Sequence, residues 1–439
     1  MSMAAIETLL QAFDSAAGAS PGEPDSVARA RRTARAALLE AGMPTRHTEA
    51  WKYTSLRRLE TIAFAANAPC APLAARDLQG AGVLGDATCA RVVFVDGRFN
   101  SGLSSLHGLP AQATLAPWSA AGMAQQAGAA LAAAATDDAF DAINCMFARD
   151  GLDLVLGPGV RLAAPVLVVA VQTREGSTHL RHRLRLARGA AGQIIEQHVA
   201  LGGVAPYLAT SVTRVELEPD SELAHVRLQD EGEAAAHVSH LRVSQGEGSR
   251  LDAQVLVLGG ALSRQEIHVD HAGPGCRTEL RAASLLRGEQ HGDVHVHIAH
   301  RHPRGTSRTH GRGVFDDAAH GVFTGRIDVH PGAAKTDAAM INRNLLLSPR
   351  AEIDTRPQLQ IDADDVLCSH GAAVGQLDED ALFYLVARGV EPAHARAMLV
   401  QAFITQALPD IGWAPLRAHV QAQLVARWSL APGLEGEAS

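Results

Sequence analysis

Aromatic residues make up only 4% of this 439-residue chain, although hydrophobic residues reach 47%. A core of this size must therefore be packed chiefly from Val, Leu, Ile and Ala. Cysteine is also sparse: Cys70, Cys89, Cys145, Cys276 and Cys368 stand far apart, and no two form a C-x-x-C pair. That excludes a disulfide framework and a local four-thiolate zinc or iron–sulfur site. The longest aliphatic run, "APVLVVAV" at 164–171, is far too short to span a bilayer. The opening "MSMAAIETLLQAFDSAAG" carries Glu7 and Asp14 and has no basic n-region. It does not read as a signal peptide, so a reducing, cytoplasmic location is expected. No G-x-x-x-x-G-K-[ST] phosphate loop, G-x-S-x-G elbow or dinucleotide fingerprint occurs. The formal charge of -8 and pI near 6.2 argue against a nucleic-acid binder.

What is present falls into three regions. Residues 1–150 are mixed and mainly helical. "AAIETLLQAFDSA" and "SVARARRTARAALLEAG" space their apolar residues for helices, the second ending at Gly42. The basic stretch Arg29-Ala30-Arg31-Arg32 reads as a solvated helix face. A polar connector holds Trp51 and Tyr53, "ARVVFVDGRF" reads as strand and turn, and an Ala-rich helix breaks near Thr136-Asp137-Asp138. Residues 151–365 alternate with period two, as in "HLRHRLRLA", "TSVTRVELE" and "DVHVHIAH", between turns rich in Gly, Pro, Asp and Ser. Residues 366–439 return to helix, with Asp378 as N-cap candidate, Gly389 just past one helix and Pro392 opening the next.

Within the middle region a turn residue followed by a polar-led strand recurs at Gly192, Asp220, Gly248 and Gly275. The interval of roughly 28 residues falls in the range of stacked repeats. Each such unit buries its inner face only by stacking on its neighbours, which favours a β-helix solenoid over a sandwich.

Few residues carry chemistry. "HGDVHVHIAHRHP" supplies His291, His295, His297, His300 and His302, of which His295 and His297 share a strand face and could ligate one metal. The plainer reading, solvent-facing residues outside a solenoid, is the expectation. Asp316-Asp317 and Asp364-Asp365 read as turn formers rather than acid–base pairs. Cys368 and His370, two apart on a strand, can point the same way and fill two positions of an iron or zinc site. The alternative is a buried thiol acting as a small hydrophobe beside a turn-capping imidazole.

The stretch "INRNLLLSPRAEIDTRPQLQIDADDVLCSHGAAVGQLDEDALFYLVARGV", with "FTGRIDVHPGAAKTDA" and "RHTEAWKYTSL" upstream, resembles the SufD family of the SufB–SufC–SufD iron–sulfur assembly complex. The paralogous SufB family shares the C-terminal stretch but typically differs where "SHGAAVGQLDE" stands. The resemblance implies a right-handed parallel β-helix flanked by N- and C-terminal helical domains, and a non-enzymatic scaffold. It implies pairing with SufB through the β-helix and docking of the SufC ATPase through the C-terminal helices. A nascent iron–sulfur cluster or iron at His370, with Cys368 beside it and SufB completing the site, follows from the same resemblance. So does a reduced flavin in the whole complex, for which no residue here is assigned. The expected SufC anchors lie between Leu377 and Leu408: Leu377, Phe383, Tyr384, Leu385 and Phe403. Without SufB a homodimer is expected. The rival enzyme class is a metal-dependent β-helix carbohydrate lyase or hydrolase, disfavoured by the scarcity of aromatics.

Overall fold

A computed structural model describes residues 3–18, 23–62, 73–85, 89–120, 122–132, 138–201, 206–405 and 413–429. Cys70, Thr136, Asp137 and Leu408 lie outside the described residues. Eight α-helices appear among them: α1 (Met3–Gly18), α2 (Asp25–Ala41), α3 (Ala75–Gly80), α4 (Ala124–Ala132), α5 (Ala139–Phe147), α6 (Glu379–Ala387), α7 (Pro392–Thr405) and α8 (Ala414–Ser429).

From Leu152 onward the chain alternates strand by strand between two facing sheets, one of ten strands and one of nine. Successive strands of a sheet are parallel, which a chain without intervening helices achieves only by coiling. The result is the expected parallel β-solenoid. Three of the four turn positions read from the sequence are real corners: Asp220, Gly248 and Gly275 adopt positive φ, and Glu222, Arg250 and Arg277 stack in register just after them. Gly192 is not: it lies within the strand Ala191–Ala200, paired with Leu223, and the corner before it is at Gly189. The two acidic pairs are corners as well, since Asp317 and Asp365 sit at φ 55 and 56.

Parallel stacking places equivalent residues in columns. Leu251, Ala253, Val255 and Val257 face inward, while Leu256 faces outward, as period-two alternation requires. Aliphatic side chains dominate this core, and glycine makes room for its few aromatics. A Cβ on Gly321 or Gly313 would run into the Phe315 ring.

The helices cover the outer faces. α1, α2, α4 and α5 pack with Leu208, Ala236, Val238 and Leu262 of the nine-stranded sheet. Val400, Ile404, Leu416 and Val420 of α7 and α8 pack with Leu256, Leu285, Val314 and Leu345 of the ten-stranded sheet. The strand Arg91–Val95 pairs with Val166–Gln172, so the N-terminal region itself contributes to the ten-stranded sheet. At the other end, strand pairing runs on past 365 to Gly375.

One expectation about the N-terminal region is corrected. Arg31 is not on a solvated face: it is buried and donates to the carbonyls of Met146 and Ala148. Periodicity along α2 puts Val27, Ala30, Arg31, Ala34 and Leu38 on the packed side, and a guanidinium can be buried where carbonyls receive its protons.

Candidate functional site

Cys368 and His370 occupy the last strand of the ten-stranded sheet, Leu367–Gly375, which pairs with Asp337–Leu346. Cys368 lies beside Ala338 and His370 beside Met340, both inward-facing and fully covered. The two therefore share the inward face, as their spacing predicts. They close the final rung of the solenoid, where no further strand among the described residues covers them. Cys368 is half-buried against the core and His370 is exposed. Burial pushes the Cys368 thiol above its usual range, against a lowering contribution from the Ala338 backbone. It stays protonated near neutrality and becomes a thiolate ligand only by exchanging its proton for a metal. Among the described residues no three His, Cys, Asp or Glu side chains come together in a metal-binding group.

The same end exposes apolar groups. Ile361 ends the last strand of the nine-stranded sheet, and Leu367 and Val374 flank the pair on the ten-stranded one; Leu367 is 73% exposed. Each terminal strand has one edge whose N–H and C=O groups meet no further strand.

The expected docking residues divide. Leu377 is buried, and Phe403 lies under the Arg312 guanidinium at 4.8 Å. Leu385 is half-buried. Phe383 and Tyr384 on α6 stand 74% and 56% exposed, with Arg388 stacked 4.1 Å over the Tyr384 ring. Asp378 caps α6 by accepting from the N–H groups of Asp380 and Ala381, and Gly389 follows the helix at φ 88, as the sequence predicts.

The histidine strand departs from its expected solvent-facing role. His295 and His297 do point outward, yet both are half-buried and held by carboxylates: His295 by Asp293 at 3.0 Å and His297 by Asp328 at 2.8 Å. His291 meets the Thr54 hydroxyl at 2.9 Å, and His300 is fully buried against Ser307. Only His302 is exposed. The N-terminal connector explains much of this covering: Trp51 stacks on Phe140 and under Arg264, and Glu49 pairs with Arg356.

A second set of polar residues escaped sequence reasoning. Glu196 sits inside the solenoid, bound by Arg227 at 2.8 Å, His225 at 2.9 Å and Thr213 at 2.6 Å. Burial alone would raise its pKa, but Arg227 and His225 hold it well below the usual carboxylate range. Nearby, Glu231 joins Tyr207, Gln229 and His237. The available signal was parity: Glu196 shares the strand face of Ile194 in "GQIIEQHV".

The fold and site define a parallel β-solenoid protein whose last rung carries a Cys–His pair with no strand stacked over it among the described residues. Comparison with known families makes the assignment specific. Residues 169–403 match the SUF system FeS cluster assembly, SufBD core domain, and residues 5–168 match the SufBD protein N-terminal region. An iron–sulfur cluster assembly SufBD family protein of Synechocystis is 30% identical over 432 residues, covering 95% of this chain and 94% of the relative. The iron–sulfur cluster assembly protein SufD of Escherichia coli K12 is 31% identical over 384 residues, 85% of this chain and 88% of the relative. The chain belongs to the SufBD family of the SUF iron–sulfur cluster assembly system, and it is similar to SufD. No helix among the described residues is long and apolar enough to cross a membrane.

Proposed function

We propose that this chain is the SufD-type, non-enzymatic scaffold subunit of a SufB–SufC–SufD assembly. Its open C-terminal rung joins the corresponding end of a SufB-type partner, and Cys368 and His370 form half of the site where a cluster is built. The observation that carries this reading is the position of the pair: inward-facing, on the last rung, with no strand among the described residues stacked over it. A thiol and an imidazole alone leave a tetrahedral iron incomplete, so a facing subunit supplies the remaining ligands. A cluster held across an interface is also released more readily than one caged by a single chain, because separation of the subunits removes half its ligands.

The cluster is cargo here, not a resident cofactor. Docking of the SufC ATPase is assigned to α6 and α7, with Phe383 and Tyr384 as contacts and with Leu377, Leu385 and Phe403 shaping the support beneath. A cleft of about 320 Å³ beside α6, lined by Leu345, Val374, Leu377, Leu399 and Phe403, extends that apolar surface.

The test is complementation in cells that depend on this pathway, with co-purification of all three subunits as folding control. His370→Ala is expected to impair cluster formation while assembly persists, because the side chain is exposed and its loss leaves no cavity. Growth equal to the parent, with the complex intact, would make His370 structural. Cys368→Ala is expected to match it if both ligate, and to be milder if the thiol only packs.

A further inference from the structure

The arginines around buried Arg31 gather at one cleft of the N-terminal helices. Arg31, Arg32 and Arg35 of α2, with Arg149 ahead of the first solenoid strand, line a cleft of about 470 Å³. Among the described residues Asp14 of α1 and Glu23 are the carboxylates that line it, so four guanidinium groups face two negative charges there. Arg35 uses Asp14 in a two-bond fork of 2.8 and 2.7 Å. Glu23 serves two partners, Arg31 at 3.0 Å and Arg149 at 3.6 Å. The Arg31 guanidinium is lowered to about 10, chiefly by burial and then by the neighbouring charge of Arg149. Arg32 is exposed at the rim. This surplus of positive charge stands in a chain whose formal charge is -8. Phe13, Ala28 and Ala36 give the cleft an apolar wall.

We infer that this cleft binds a small polyanion of the phosphate class, drawn by Arg32 and by the surplus charge around Arg31 and Arg149. Arg31 already donates to the Met146 and Ala148 carbonyls and Arg35 is forked onto Asp14, so the direct fork is that of Arg32, whose planar guanidinium matches the oxygens of a phosphate. The other guanidinium groups act through their charge, which favours a multiply charged group over chloride. The site lies at the N-terminal helices and is independent of the cluster pair. Its affinity falls as salt rises, since the rim is open to solvent.

The measurement is isothermal titration of the full chain with pyrophosphate, with sulfate as a simpler dianion. Pyrophosphate is expected to bind and sulfate to bind more weakly. Arg32→Ala is expected to weaken pyrophosphate at least about tenfold, with the melting temperature unchanged. Arg32→Lys is expected to recover part of the loss, because it restores charge without the fork. Arg76→Ala, at an exposed arginine on α3 outside the cleft, is expected to bind like the parent. No heat at millimolar pyrophosphate would overturn the inference. So would an Arg32→Ala variant that binds like the parent, or an equal loss in Arg76→Ala, which marks non-specific attraction.

Discussion

His182 and His300 are buried inside the solenoid, and desolvation lowers each to about 4 from the ordinary 6.5. Above the ordinary value neither the folded nor the unfolded chain binds these protons, and stability does not depend on them. Between 6.5 and about 4 the unfolded chain takes up protons that the native interior refuses, so stability falls as pH falls. Each group contributes up to about 3 kcal/mol over that interval. Glu196 acts in the same direction lower down: its depressed pKa adds stability that is lost below the usual carboxylate value. The melting temperature is therefore expected to drop steadily from about pH 6.5 toward about pH 4.5. His300→Gln is expected to reduce the slope. A flat profile across that range would show that these imidazoles reach water on the native side.

At the scale of elements, α6 is the least covered helix, with none of its residues buried. Its shape nevertheless does not depend on a partner, because Asp378 caps its start and Gly389 ends it. An exposed Phe–Tyr pair on a self-capped helix suits the docking role proposed for it. The double change Phe383→Ala with Tyr384→Ala is expected to cut co-purification of the ATPase by an order of magnitude or more, while leaving the melting temperature within a few degrees of the parent. A truncation at Asp378 is the blunter version. It also strips Val400, Ile404, Leu416 and Val420 from the ten-stranded sheet, so its loss of docking is interpretable only beside the double variant. Full ATPase capture by both proteins would relocate the docking surface.

The whole molecule is asymmetric along its solenoid axis. At its N-terminal end the sheets close on antiparallel strands, Arg98–Phe99 against Arg91–Val95 and Ala113–Pro117 against Leu152–Leu156. At the C-terminal end no such cap occurs among the described residues, and two inward columns, one from each sheet, end in exposed Ile361 and Val374. A solenoid needs its terminal unit covered, and a second solenoid end does this by continuing both sheets. Ile361→Lys is expected to abolish pairing with the SufB-type subunit, and self-pairing of the isolated chain, while the monomer stays folded. Sedimentation of the chain alone and with its partner reads both. Pairing at parental strength would place the interface elsewhere.

Much of this was legible in the linear sequence. Period-two alternation, a recurring corner and the shortage of aromatics specified a stack of aliphatic rungs, because each depends only on residues near one another in the chain. The shared face of Cys368 and His370 was legible for the same reason, since two residues on one strand need no distant information. Their place on the final rung was not, because it depends on what fails to stack above them. Arg31, Glu196 and His300 show the other limit. Local pattern treats a charged or titratable side chain as solvated, but tertiary packing surrounds these three with carbonyls, Arg227 and Ser307. Whether a polar group is inside or outside is decided by the partners that coiling brings to it, and those partners lie many residues away.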